Sequence, residues 1–302
     1  MSDIYARLFS LQLVEKGRAV TSLLYAIEDG ATRALPIALS AGASGLYEGL
    51  QLGVYSALRT YEHCKFLQLE HHIERTARSM ARLGWQYAWD EARLRRCLDE
   101  VCAGAPFDEM RVRFDVLAAP GELRGTQSRE LIALTAFTPP GAELYERGVS
   151  VATTAAIQRD DPLVKAASFV ARRREIETRD PQIYEHLIVD AEGQILEGLS
   201  SNFYALREGV LYTAGSGVLE GVTRRIVLQC AAELAIPVVF ATTPLASIAQ
   251  LDEAAISSSS RGLLSVVNID GQAIGQAAPG ALIGALRAAY DDYVTRHVCR
   301  AV

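Results

Sequence analysis

EHLIVDAEGQILEGLSSNFYALREGVLYT, residues 185–213, holds two strand–turn–strand patterns in succession. Residues 185–189 and the pair Ile195-Leu196 flank the turn Asp190-Ala191-Glu192-Gly193, and residues 203–206 and 210–213 flank a second turn at Glu208-Gly209. Short apolar runs separated by glycine and acidic residues are hairpin signals. Between the hairpins lies Glu197-Gly198-Leu199-Ser200-Ser201-Asn202. This polar segment begins where a strand ends, and Gly198 permits close approach of the backbone to a ligand.

Reading outward, residues 222–235 form a helical pattern entered through glycines and stopped before Pro237. Residues 253–258 read as a strand running into Ser257-Ser258-Ser259-Ser260-Arg261-Gly262, and residues 280–294 read as a closing helix. Upstream, strands at 129–136 and 148–155 surround Phe137-Thr138-Pro139-Pro140-Gly141, where two prolines and a glycine stop regular structure. A domain boundary is expected there: residues 1–137 as an N-terminal domain, 138–145 as a linker and 146–302 as a larger domain. In the first part, residues 53–61 read as a strand and 62–65 as a polar loop. Leu69, Ile73, Thr76, Met80 and Leu83 recur at helical steps up to Gly84, and residues 91–102 read as a second helix. Residues 110–117 alternate as a strand, with Arg111 and Arg113 on one face. The whole is α+β, with a strand-dominated C-terminal part.

The chain has 302 residues, half of them hydrophobic and 22% charged, enough for a sizeable core. A net charge of −6 argues against a general nucleic-acid or anionic-membrane binder. No apolar stretch is long enough to span a bilayer, and Met1-Ser2-Asp3-Ile4 opens without a signal-peptide pattern. Cys64, Cys97, Cys102, Cys230 and Cys299 are odd in number and scattered, with no CxxC. That fits reduced thiols in a cytoplasmic protein. His71 and His72 are adjacent and lack a partner at i+4, so no metal site is expected.

Four segments can carry chemistry. Lys165 follows Arg159-Asp160-Asp161-Pro162-Leu163-Val164 and precedes small and apolar residues; a lysine in apolar surroundings becomes a nucleophile or base. Taken alone it also reads as a surface lysine. Glu197 is a carboxylate at a strand end, or part of a polar turn. Gly215-Ser216-Gly217-Val218-Leu219-Glu220-Gly221-Val222-Thr223-Arg224 enters a helix, where free N–H groups suit a phosphate or simply open the helix. Its glycine spacing is wrong for a Rossmann or P-loop motif. The serine run offers hydroxyls to an anion, or is a solvated loop. No G-x-S-x-G supports a serine hydrolase.

In order and spacing, these segments resemble the class IV aminotransferases, the fold type IV family of pyridoxal 5′-phosphate (PLP) enzymes. The match runs through R-x-x-P-x-x-K at Arg159 to Lys165, E-G-x-S-S-N-F at Glu197 to Phe203, L-x-G-[IV]-T-R at Leu219 to Arg224, and the serine loop before Val266-Val267-Asn268-Ile269-Asp270-Gly271. Gly53-Val54-Tyr55 and His72-Ile73-Glu74-Arg75 extend it upstream. The resemblance implies a D-amino-acid-aminotransferase-like fold with a small N-terminal α/β domain and a larger strand-rich pseudo-barrel.

It also implies roles. Lys165 would carry PLP and shuttle a proton, and Glu197 would pair with the pyridine nitrogen. Val222, Thr223 and Ser259 would cup the phosphate. Ser260 and Arg113 would lie on the substrate-carboxylate side, with Tyr55 and Arg111 beside them. Where many relatives have a phosphate-binding arginine four residues before the histidine, this chain has Gln68, and Lys65 is the expected substitute. Val170 stands where branched-chain enzymes usually carry a tyrosine. The implied reaction moves an amino group from a branched-chain or hydrophobic L-amino acid to a 2-keto acid such as 2-oxoglutarate, in a homodimer. Aminodeoxychorismate lyase, a D-amino-acid or (R)-amine transaminase, and a fold-sharing small-molecule binding protein are the alternatives. The sequence assigns no role to Arg124 or Arg261.

Overall fold

The computed structural model describes residues 22–36, 45–176 and 180–302. The N-terminal stretch read for a signal pattern lies outside them. The first half of the chain contains β1 (Ser22–Glu28), β2 (Ala31–Leu35), β3 (Val54–Tyr61), β4 (Lys65–Leu67), α1 (Leu69–Arg82), α2 (Glu91–Ala103), β5 (Met110–Val116), β6 (Glu130–Ala136) and α3 (Ala142–Arg147). There follow β7 (Val149–Thr154), α4 (Ala167–Arg173), β8 (Glu185–Val189), β9 (Gln194–Gly198), β10 (Asn202–Arg207), β11 (Val210–Tyr212) and α5 (Val222–Glu233). The chain closes with β12 (Val238–Val239), β13 (Thr243–Pro244), β14 (Glu253–Ser258), β15 (Gly262–Ile269), β16 (Gln272–Ala273), α6 (Ala281–His297) and β17 (Val298–Cys299).

By their contacts the described residues divide into two units: those within 1–65, 90–138 and 300–302, and those within 66–89 and 139–299. The break at 138/139 falls among the prolines, but residues 66–89, expected in the first domain, belong to the second unit. The reason lies on α1. Beside the expected apolar residues Leu69, Ile73 and Met80, its buried face carries His72, Arg75, Thr76 and Ser79. These polar groups need partners when buried, and Ser79 Oγ accepts the backbone N–H of Lys165 at 3.2 Å. The expected linker also gains structure. α3 forms where Glu143 and Arg147 pair at i,i+4, and Gly148 at φ 71° ends it.

In the first unit, β3, β5, β6, β1 and β2 make an antiparallel sheet in that order. The β1–β2 hairpin, absent from the sequence-based expectations, turns through Asp29 and Gly30, both at positive φ; such turns match the strand twist. Leu24, Ala26, Leu46, Leu117, Leu131 and Ala133 pack into one cluster of its core. Asp90 caps α2 by accepting the Arg93 N–H at 2.8 Å.

The second unit is built on a strand ring. β10, β14, β15, β7, β8 and β9 pair in turn, and β9 returns to β10 through Glu197 and Asn202. Pairings around β7 are parallel and the others antiparallel. Closure removes the exposed edges an open sheet would present. The core includes Val151, Leu187, Ile195, Phe203, Ile256 and Leu264. α5 and α6 pack on each other, and both reach β14. Glu253 fixes the start of α6 by accepting the Leu282 and Ile283 N–H groups at 3.0 and 2.7 Å. Among the described residues, no helix is long and apolar enough to cross a membrane.

Burial holds the His72 imidazole well below its ordinary pKa, with Arg75, Lys165 and His71 adding repulsion. The folded state therefore resists the proton that the unfolded chain takes up near pH 6.5. Stability from this residue is complete above that pH and falls as pH drops, by at most about 1.4 kcal/mol per unit. Urea unfolding between pH 7.5 and 5 is expected to show a shallower acid loss in His72→Gln than in the wild type. Equal slopes would contradict it.

Candidate active site

Lys165 lies between two fixed segments. Asp161 accepts the Leu163 N–H at 3.0 Å and the Arg82 Nε–H at 2.9 Å, which shapes the turn before the lysine. Ser79 holds the Lys165 N–H, and α4 starts two residues later. The Lys165 residue itself is half-buried. Its charge is felt at His72 and at Glu197.

Glu197 is almost completely buried at the end of β9. Arg159 Nε donates to its Oε1 at 2.5 Å, and the Leu219 N–H donates to Oε2 at 3.2 Å. A carboxylate has about four acceptor sites, so capacity remains for a ring N–H. The Arg159 guanidinium stacks on Phe169 at 4.1 Å. Burial pushes the Glu197 carboxyl above its ordinary value, while Arg159, the Leu219 N–H and Lys165 pull the other way.

The glycine-rich turn is stitched to the same strands. Asn202 Nδ2 donates to the Leu219 carbonyl at 2.8 Å. A Cβ on Gly221 would lie 2.1 Å from Asn202 Oδ1, so only glycine fits against that side chain. Val222 and Thr223 then open α5 as buried residues. Thr223 Oγ1 and Ser259 Oγ are 3.5 Å apart. Arg75, from α1, reaches the Glu220 carbonyl at 3.5 Å. With Arg78, Gly221, Val222, Arg225 and the carboxylates Glu74 and Glu220 it lines a cleft of about 280 Å³, to which Thr223, Ser259 and Lys165 do not contribute. Helix N–H groups, two hydroxyls and a buried guanidinium are a phosphate's donor set.

The expected Lys65 is placed otherwise. It begins β4, and its exposed amine donates to Glu62 at 2.7 Å. Gln68 adopts a left-handed conformation, and its Nε2 donates to the Tyr293 hydroxyl at 2.7 Å. Arg75 is the cation that meets the turn before α5. Val170 is buried on α4. Ser260 is half-buried, with its Oγ 3.4 Å from Ser258 Oγ.

Arg113, Tyr55 and Arg111 lie on the first unit. Arg113 Nε donates to Asp115 at 2.9 Å, and its guanidinium sits 4.0 Å from the Tyr47 ring and 4.2 Å from the Tyr55 ring. Asp115 and the tyrosines raise the Arg113 pKa despite burial, so its charge is permanent and already paired. Arg111 is exposed and lies over Phe137.

Sequence reasoning passed over four residues here. Arg75 and Arg159 stood inside quoted motifs without a role. The helical phase gave the signal for Arg75, which shares a face with His72 and Ser79. Asp115 is two residues from Arg113 on one strand, hence on the same face. Tyr47 carried no signal.

The model of the class IV aminotransferase family matches residues 53–269. The chain belongs to that family and is a transferase of amino groups. A Thermotoga maritima protein named "Probable branched-chain-amino-acid aminotransferase" is 27% identical over 254 residues, covering 82% of this chain and 88% of the relative. A D-alanine aminotransferase of Bacillus licheniformis is 25% identical over 257 residues, covering 83% and 90%. A T.th. branched-chain amino acid aminotransferase with pyridoxamine 5′-phosphate superposes with TM-score 0.75 at 20% identity, over 93% of this chain and 99% of that one. The branched-chain aminotransferase of Thermoproteus uzoniensis with norvaline gives 0.72 at 22% identity, over 94% and 99%. The ring of strands is thus the fold type IV fold.

Arg159→Met would leave Glu197 buried without its cation. Breaking a buried pair in this way costs about 3–5 kcal/mol. Chemical denaturation is expected to show that loss, and a loss below about 1 kcal/mol would mean that Glu197 does not depend on the pair.

Proposed function

We propose that this chain binds PLP in its second unit. It would transfer an amino group from a hydrophobic L-amino acid, branched-chain ones first, to a 2-keto acid such as 2-oxoglutarate. One observation carries the reading: Leu219–Gly221 ties the buried Glu197 to the start of α5, so a ring-nitrogen acceptor and a phosphate cradle share one rigid connection. Lys165 is close enough for its charge to act on that carboxylate. The donor set fits PLP at both ends.

In this reading, the Val222 and Thr223 N–H groups and the Thr223 and Ser259 hydroxyls hold the phosphate. Arg75 supplies the cation in place of Lys65. Glu197 accepts the pyridine N–H and keeps the nitrogen protonated, with Arg159 keeping the carboxylate charged. When bound, PLP supplies an electron sink for negative charge at the substrate Cα. Lys165 would be the amine that holds the cofactor, and as a free amine it would take up the substrate's Cα proton. Ser260 donates to the substrate carboxylate.

Tyr55, Arg113 and Arg111 are the first unit's substrate-side candidates. Asp115 neutralises Arg113 between two aromatic rings. Such a patch recognises apolar surface better than an extra carboxylate, which supports a hydrophobic substrate. The names of the relatives support the same class. The D-alanine aminotransferases among them support a second reading, a D-amino-acid donor. A homodimer is proposed from the resemblance, and a cytoplasmic location from the scattered thiols, of which four are buried.

Purified protein given PLP is expected to show a visible band that borohydride fixes and that Lys165→Ala lacks. Leucine, isoleucine and valine in the L form should bleach the band, and 2-oxoglutarate should restore it. Bleaching by D-alanine alone selects the second reading, and pyruvate release from aminodeoxychorismate without a keto acid selects the lyase. A protein that never colours rejects the cofactor. Light scattering of the loaded protein should give twice the 32.8 kDa chain mass, and a monomer at working concentration would reject the dimer.

A further inference from the structure

Arg261 follows the serine run, and the sequence assigns it no role. Its guanidinium side chain is buried, with 12% exposure, against Glu185 with 4%. Arg261 Nη2 lies 2.9 Å from Glu185 Oε2 and donates to Ser200 Oγ at 2.8 Å, and its Nε donates to Ser258 Oγ at 3.0 Å. Tyr184 lies under the guanidinium at 5.3 Å. Glu185, the first residue of β8, receives the Ser200 N–H and the Ser200 hydroxyl on Oε1 and the Ser201 hydroxyl on Oε2. A Cβ on Gly198 would lie 2.2 Å from Ser201 Oγ and 3.0 Å from Glu185 Oε1. The packing thus leaves no room for a side chain beside Glu197. The Tyr145 hydroxyl fixes the backbone by donating to the Arg261 carbonyl at 2.8 Å.

Proton directions follow from these bonds. An ionised carboxylate only accepts and a guanidinium only donates. Ser200 and Ser201 spend their hydroxyl protons on Glu185. Ser258 accepts from Arg261, so its own proton points away from that cation. Ser260 Oγ stands 3.4 Å further on. Ser258 can therefore donate to Ser260 Oγ, which leaves the Ser260 proton for a further acceptor, while Glu185 compensates the charge of Arg261.

The geometry points to Glu185 and Arg261 as positioning residues that lock the 198–202 turn and the 257–261 loop into one piece. By orienting Ser258, they set the outer serine hydroxyls as donors to a substrate carboxylate. This rests on the proposed cofactor site. Neither side chain need touch substrate.

The test uses PLP-loaded wild type, Arg261→Ala, Arg261→Lys and Glu185→Gln. The probes are 4-methylvaleric acid and its amide, titrated against the visible band. Neither probe reacts, so the reading is binding alone. Arg261→Ala and Glu185→Gln are expected to bind the acid roughly tenfold more weakly while the amide changes little, a size suited to one charge-assisted hydrogen bond. The double variant should lose no more than Arg261→Ala, because the two side chains act as one device. Arg261→Lys, which keeps the charge but not the fork, should recover only part of the affinity. Unchanged acid affinity in both single variants overturns the inference, as does an equal loss for acid and amide. If Arg261→Ala does not fold, Glu185→Gln and Arg261→Lys decide the same question by the same acid-to-amide ratio. A wild type without the band fails the cofactor reading itself, which separates the two.

Discussion

One pairing, Glu197 with Asn202 across β9 and β10, closes the strand ring of the second unit. The neighbouring registers extend it into a row: Asn202 faces Ser257 on β14, and Ser257 faces Leu263 on β15. The buried carboxylate, the amide that holds the glycine turn, and the start of the serine loop are therefore adjacent positions on consecutive strands. Ser257 is itself locked by the buried Tyr204 hydroxyl at 2.8 Å. A backbone ladder leaves far less freedom than loops do, and a catalytic arrangement needs that precision.

Charge is buried around this row in compensated form. Arg159 faces Glu197 and Arg261 faces Glu185, each pair nearly out of water. Replacing such pairs with apolar residues often leaves a protein as stable or more so. Their value here is geometric: each ties a loop to a strand. Arg75 is used differently. Its guanidinium reaches the Glu220 carbonyl, which brings its charge to the turn before α5.

Much of this was legible from residues. The two hairpins, the amphipathic phase of α1 and the start of α5 follow from periodicity and turn chemistry, and the structure has them at nearly the expected positions. The order of the motifs pointed to the family. The β1–β2 hairpin escaped because its turn, Asp29-Gly30, lies in a stretch with no recognisable motif. α4 is short and follows a proline, so its seven residues give too little periodicity to read. Arg75 was hidden by its surroundings: a charged residue on a helix normally reads as solvated. Its phase, on the face of His72 and Ser79, was the signal against that reading. Lys65 stands near the expected position in sequence, and proximity in sequence says nothing about Glu62 as its nearer partner.

β9 and β10 are joined by three residues, Leu199, Ser200 and Ser201, and each is committed: the Leu199 N–H to His186, both serines to Glu185. There is no slack in this connection. An inserted residue would slip the register, part Glu197 from Asn202 and open the ring at its single closing pair. A change of length is easier to absorb in segments that do not set the register of the ring. The three-residue joint acts as a buckle whose length and whose two serines hold the barrel shut together.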